Sequence, residues 1–191
     1  VPVDEQCQPM RNAILWLDDR SRLQVGELDQ KIGNGIIQDI TGKGPSTIQS
    51  LPKIVWLQHH EPQVIERAYK LLDVHAFLAY RLTGQWTTSL ASADPMGLVD
   101  MRRGNWATGL MESLHIDPAK FVPIQPSGSI VGEVTQKAAE QTGLLPGTSV
   151  IAGAGDGQSA GLGANITVPG KAYLNLGTAV VSGAFSESYV V

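Results

Sequence analysis

The sequence predicts an α/β domain with a mixed β-sheet, on three observations. Apolar runs of strand length cluster at the two ends, helix-spaced apolar residues dominate the middle, and 21 glycines and 11 prolines punctuate both. At 191 residues the chain is long enough for one well-buried domain, and 42% hydrophobic with 17% charged residues describes a folded chain, not a disordered one. A net charge of −4, with no basic cluster beyond Arg102-Arg103, argues against nucleic acid or an anionic membrane as partner. No stretch approaches the ~20 apolar residues of a membrane span. The opening VPVDEQCQPM lacks the basic and apolar regions of a signal peptide, and without an initiator Met it reads as a piece of a longer chain. The lone Cys7 excludes an intrachain disulfide and fits a reducing, cytoplasmic setting.

In order, Ala13 to Leu17 (AILWL) reads as a buried strand ending in Asp18-Asp19-Arg20. Leu23, Val25 and Leu28 are spaced for an amphipathic helix ending at Lys31, and Gly33, Gly35, Gly42, Gly44 and Pro45 break up the next stretch of chain. A helix starts near Ser50 with Pro52 in its first turn, and Pro62 opens a second after His59-His60-Glu61. Asp73 is a candidate N-cap for a third, with Val74, Phe77, Leu78 and Leu82 inward and Thr83-Gly84 at its end. Residues 85–104 read as loop, 106–115 as helix, 117–126 as a proline-punctuated connection, 129–134 as strand and 135–142 as helix. Strand 149–152, a helix over 158–163 and strands 171–176 and 179–185 complete the chain, with no internal repeat.

Three segments carry chemistry. In GAGDGQSAGLG, Asp156 follows an apolar strand, at the strand end where open α/β sheets bind ligands. Gly155 and Gly157 leave room for a hydroxyl to reach the carboxylate, which suits a general base; the bland alternative is a helix N-cap. Leu176-Gly177-Thr178 joins two strands, either as a phosphate cradle of backbone N–H groups and a hydroxyl or as a plain hairpin turn. Trp16-Leu17-Asp18-Asp19-Arg20 places an aromatic face beside carboxylates and a guanidinium, which either holds a sugar or is a core-edge tryptophan next to a surface ion pair. Neither a P-loop nor a dinucleotide fingerprint is present, and His59, His60, His75 and His115 show no metal-ligand spacing. Asp156 paired with Asp18 or Asp19 would make a hydrolase, provided the carboxyl groups lie roughly 5–10 Å apart.

Together, W-L-D-D-R at 16–20, L-P-K-I-V-W-L at 51–57, R-L-T-G at 81–84, G-A-G-D-G at 153–157 and L-G-T at 176–178 resemble the FGGY carbohydrate kinases, in wording most like the xylulokinase-like members. The resemblance runs from about Asn12 onward. It implies an actin-like ATPase (ribonuclease H-like) domain with a mixed sheet and a helical insertion, incomplete at its N-terminus. Residues 1–191 would then be most of the N-terminal, sugar-binding domain, without the initial phosphate-binding strands and the C-terminal ATP-binding domain. By the resemblance, the activity is ATP-dependent phosphorylation of a sugar or polyol hydroxyl, a xylulose-like ketose being favoured, with the fragment alone inactive. Asp156 matches the general base, close to where Mg²⁺ would bridge the phosphates. Trp16, Asp18 and Arg20 match the sugar-pocket segment, with Gly155 and Gly157 beside the substrate. Gly177 and Thr178 match the turn that holds nucleotide phosphates, and residues 46–51 fall where relatives wall the substrate pocket. The cofactors implied are ATP and Mg²⁺, the partner a small sugar or polyol, and a homodimer is compatible with it. The alternative is a non-catalytic sugar-binding or scaffold module of the same fold.

Overall fold

The computed structural model describes residues 1–177 and 180–190. β1 (Pro2–Val3) precedes four helices, α1 (Arg22–Lys31), α2 (Asn34–Thr41), α3 (Ser50–His60) and α4 (Pro62–Arg67). Next in the chain are β2 (Lys70–Leu71), α5 (Val74–Thr83), β3 (Thr88–Ser89), α6 (Leu90–Ala93), β4 (Val99–Asp100), β5 (Asn105–Trp106) and α7 (Thr108–Ser113). β6 (Ile124–Gln125), β7 (Ile130–Glu133), α8 (Gln136–Thr142), β8 (Ser149–Ile151), α9 (Asp156–Gly163), β9 (Ala172–Leu176) and β10 (Val180–Ala184) complete the order. The α/β character expected from the sequence is present. Its sheet is divided among two-stranded ladders: β1–β2, β4–β5, β7–β8 and β9–β10 are antiparallel, and β3–β6 is parallel.

The main core lies between α1, α2, α3 and α7. Leu28, Ile37, Leu51 and Met111 are almost fully buried there, with Leu98 and Phe121 packed among them. A side chain of that kind contributes about 1.5–3 kcal/mol on burial. A smaller cluster, Ala79, Val131 and Ala152, joins α5 to the antiparallel β7–β8 ladder. Gly132 permits this contact: it sits at the register shift in β7, and a Cβ there would come within 2.9 Å of the Cβ of Thr83.

The helices from 50 to 67 and from 74 to 83 form where proline and capping signals place them. Asp73 accepts a hydrogen bond from the Ala76 amide, and Gly84 ends α5 with φ 75°. Other expectations are corrected. Ala13–Leu17 forms no strand: Leu15, Trp16 and Leu17 are exposed, and a turn from the Leu15 carbonyl to the Asp18 amide bends the chain away from any partner strand. The glycine-rich stretch after residue 33 holds α2, because Gly33 and Gly42 bound the helix instead of interrupting it. On α5, Val74 and Leu78 face outward and Ala76 and Ala79 are buried, since only a small-residue face lets the helix lie close against its neighbours. Leu23 of α1 is likewise exposed, and Gln24 and Leu28 are the buried residues of that helix. The helix expected over 106–115 is confined to α7, because Trp106 lies in β5, paired with Val99 of β4.

Candidate active site

The chain from β8 to α9 is tied down on both sides before it reaches Asp156. The Ala152 amide donates to the Ser129 carbonyl (2.8 Å), and the Ala152 carbonyl accepts from the Gly128 amide (2.7 Å). The Gly153 amide donates to His75 Nε2 on α5 (3.0 Å). Gly155 then occupies the N-cap position of α9 with φ −67°, so Asp156 is the first helical residue rather than the cap. Its carboxylate is exposed, and among the described residues its one hydrogen-bond donor is the amide of Gly157 (2.8 Å). Gly155 has a conformation any residue could adopt, so its lack of a side chain matters for space alone.

Asp156 borders an open pocket of about 550 Å³ between α9 and the β9–β10 hairpin. Gln158, Leu162, Ile166, Tyr173 and Phe185 also line it. The Tyr173 hydroxyl donates to the Gly157 carbonyl (2.8 Å), fastening the first turn of α9 to β9. The ring needs glycine at position 183, where a Cβ would collide with it, and lies close against Gly161, where a Cβ would come 3.1 Å from Tyr173 Cε1.

The W-x-D-x-R segment forms a separate constellation. Arg20 makes a two-pronged ion pair with Asp18 (Nε to Oδ1 2.9 Å, Nη2 to Oδ2 2.7 Å), and its guanidinium lies 4.8 Å over the ring of Trp56. Trp56 in turn stacks on His60 at 4.4 Å. The hydrogen bonds from the Arg20 side chain and amide hold the Asp18 carboxyl down to about 2, so the pair persists until pH falls through that value. Trp16 stands 64% exposed, its carbonyl accepting from Lys53 Nζ (3.1 Å). Lys53 is buried in α3, and that desolvation pushes its amine down from the ordinary lysine value. Trp16, Asp18 and Arg20 do not line the Asp156 pocket.

Of the turn at 176–178, Gly177 is exposed between β9 and β10, and Thr178 lies outside the described residues. In the stretch 46–51, Leu51 is fully buried in the core, Ser50 lines a small pocket with Ile14 and Lys53, and Gln49 spans its own loop, accepting from the Ser46 amide and donating to the Gly44 carbonyl. Among the described residues no group of three or more His, Cys, Asp or Glu side chains gathers to hold a metal, and no helix is long and apolar enough to cross a membrane.

Four supporting side chains escaped the sequence reading: Lys53, Trp56, His75 and Tyr173. A lysine inside the apolar run LPKIVWL was a usable signal, because a buried amine needs an acceptor. The other three become visible only through contacts distant in sequence.

A strand–Gly-Asp-Gly–helix junction with an exposed carboxylate, on a small α/β domain, defines a class of ligand-handling domain. The particular family emerges from comparison with known proteins: residues 1–163 match the N-terminal domain of the FGGY family of carbohydrate kinases, and the chain belongs to that family. It is 30% identical over 176 residues to the autoinducer-2 kinase of Yersinia enterocolitica, an alignment covering 91% of this chain and 32% of that protein. Among solved structures it resembles the xylulose kinase of Rhodospirillum rubrum, with a TM-score of 0.88, 29% identity, and coverage of 94% of this chain and 37% of that one. A Plasmodium falciparum glycerol kinase solved with ADP superposes with a TM-score of 0.85 at 27% identity, over 93% of this chain and 36% of that one. The actin-like fold expected from the resemblance is thus shown. The chain spans between 32% and 39% of the length of the curated relatives it matches.

Proposed function

We propose that this chain is the sugar-side domain of an ATP-dependent carbohydrate kinase, with Asp156 as the general base. The observation that carries the reading is the exposed Asp156 carboxylate at the β8–α9 junction of a chain belonging to a kinase family. A substrate hydroxyl donates a hydrogen bond to the carboxylate; as its oxygen attacks the γ-phosphorus of ATP, the proton passes to Asp156 and ADP leaves. The remaining phosphate-binding strands and the ATP-binding domain belong, in this reading, to chain beyond these 191 residues. Gly177 and Thr178 would meet nucleotide phosphates there.

An exposed carboxylate such as Asp156, which among the described residues joins no cluster of metal-binding side chains, would suit a magnesium ion carried mainly by nucleotide phosphates and water. When bound, that ion neutralises charge on the transferring oxygens. Trp16 supplies an exposed apolar face for sugar C–H groups, and the Asp18–Arg20 pair offers charged edges to hydroxyls. A xylulose-like ketose is the favoured substrate, given the kinship to a xylulose kinase. The setting is cytoplasmic, without nucleic acid or membrane as partner, and light scattering of the full-length protein would test for a homodimer. ADP release from that protein against a panel of ketoses and polyols tests the reading. Turnover of one sugar supports it, whereas sugar binding with no ADP release from any substrate would favour a non-catalytic sugar-binding module.

A further inference from the structure

We propose that His75 is a positioning residue for Asp156: its unprotonated Nε2 holds the Gly153 amide and so sets where β8 hands the chain to α9. The inference rests on the reading of Asp156 as the base. His75 is the second residue of α5, 78 positions from Gly153 in sequence, and the 3.0 Å bond between them is a direct tie from that helix to the GAGDG loop. The loop also passes close to the ring, since a Cβ on Gly153 would lie 3.5 Å from His75 Cδ2.

The hydrogen bonding fixes the ring's protonation. A backbone amide can only donate, so Nε2 must present a lone pair and the neutral ring carries its proton on Nδ1. Nδ1 is buried, with no hydrogen-bond partner among the described residues. An unpartnered buried donor is unfavourable, and an apolar side chain of similar size would avoid it. What the imidazole supplies in return is the acceptor for Gly153.

The helix that carries the ring is itself held. Asp73 caps α5 through the Ala76 amide (2.8 Å) and accepts from the Thr88 hydroxyl (2.6 Å) on β3. The same helix also holds the residue before Gly153: Ala152 packs with Ala79 of α5 and with Val131 of β7. The imidazole is therefore a strut between a capped helix and the residue three positions before Asp156. A carboxylate that must meet a hydroxyl in line with a phosphate tolerates little displacement, about 1 Å sufficing to cost ~100-fold in rate.

The test uses the full-length kinase that contains this segment. In His75→Gln the side-chain oxygen falls near the place of Nε2 and can still accept from Gly153. In His75→Leu there is no acceptor, and in His75→Asn the oxygen falls short. We expect His75→Leu to lower kcat about tenfold or more with the sugar KM within about threefold, and His75→Gln to restore kcat to within about threefold of wild type. Hydrogen exchange over residues 150–156, followed by mass spectrometry, should quicken in the leucine and asparagine variants and not in the glutamine one. The asparagine variant repeats the comparison should the leucine variant fail to fold. Wild-type kcat in both non-accepting variants, or unchanged exchange in both, would overturn the proposal. Full activity in Asp156→Asn alongside quickened exchange in His75→Leu would instead sink the base assignment while the tether stands.

Discussion

Around α3 the chain hides what is apolar: Leu51, Ile54, Val55 and Leu57 are all buried, and Leu28, Ile37 and Met111 close over them. In the β9–β10 hairpin the same residue types stand outward, with Leu174, Leu176 and Val180 exposed by 60%, 73% and 68%. Asp156 sits beside the second region, fastened by a handful of specific contacts: His75 to Gly153, Tyr173 to Gly157, and Ala152 against Ala79. Stability and chemistry are thus housed apart. A rigid helical core supplies the scaffold, and the loop that would do chemistry hangs from it by bonds that can be cut one at a time.

The sharpest way to probe that separation is Asp156→Asn in the full-length protein. Removing a general base should lower kcat by about 10²–10⁴-fold while sugar affinity and melting temperature barely move, because the carboxylate is exposed and supports no core contact. Turnover near wild type in an ADP-release assay would remove Asp156 from the mechanism. The converse change is Leu51→Ala, which empties a fully buried site and should destabilise by about 2–5 kcal/mol in denaturant unfolding. Leu176→Ala, the same truncation in the hairpin, should stay within about 0.5 kcal/mol. Equal costs at the two leucines would break the comparison.

One point in the second region is packed as tightly as the core. Gly183→Ala would drive a methyl group into the Tyr173 ring, and we expect a loss of about 1–3 kcal/mol by thermal unfolding. If the ring swings away, the hydroxyl bond to Gly157 goes with it, and turnover should fall in parallel.

The same division decides what was legible in the sequence. Local chemistry read well: Pro62, Asp73 and Gly84 mark helix ends, and they do so because capping acts over only a few residues. Facing did not. AILWL has strand composition, yet among the described residues no strand pairs with it, and α5 buries alanines instead of its larger residues, because the distance from the helix to the β7–β8 ladder is set by tertiary contact. The Asp156 motif was readable from its glycines and the strand before it. Its supports at His75 and Tyr173 were not, since no local pattern links positions 78 or 16 residues away.

Trp16→Ala carries a small expected effect and discriminates most directly between sugar platform and structural residue. The indole is 64% exposed, and Lys53 bonds the backbone carbonyl of residue 16, a contact that survives truncation. Stability should therefore change by no more than about 0.5 kcal/mol. If the ring stacks on the sugar, losing about 0.5–1.5 kcal/mol of aromatic contact should raise the sugar KM roughly two- to tenfold with kcat held. Lys53→Met separates the ring from its mount: it removes the amine under Trp16, keeps the indole, and should raise KM by a smaller factor if the segment loosens. An unchanged KM in Trp16→Ala, with a lowered melting temperature, would return Trp16 to the scaffold and leave Asp18 and Arg20 as a surface ion pair on Trp56.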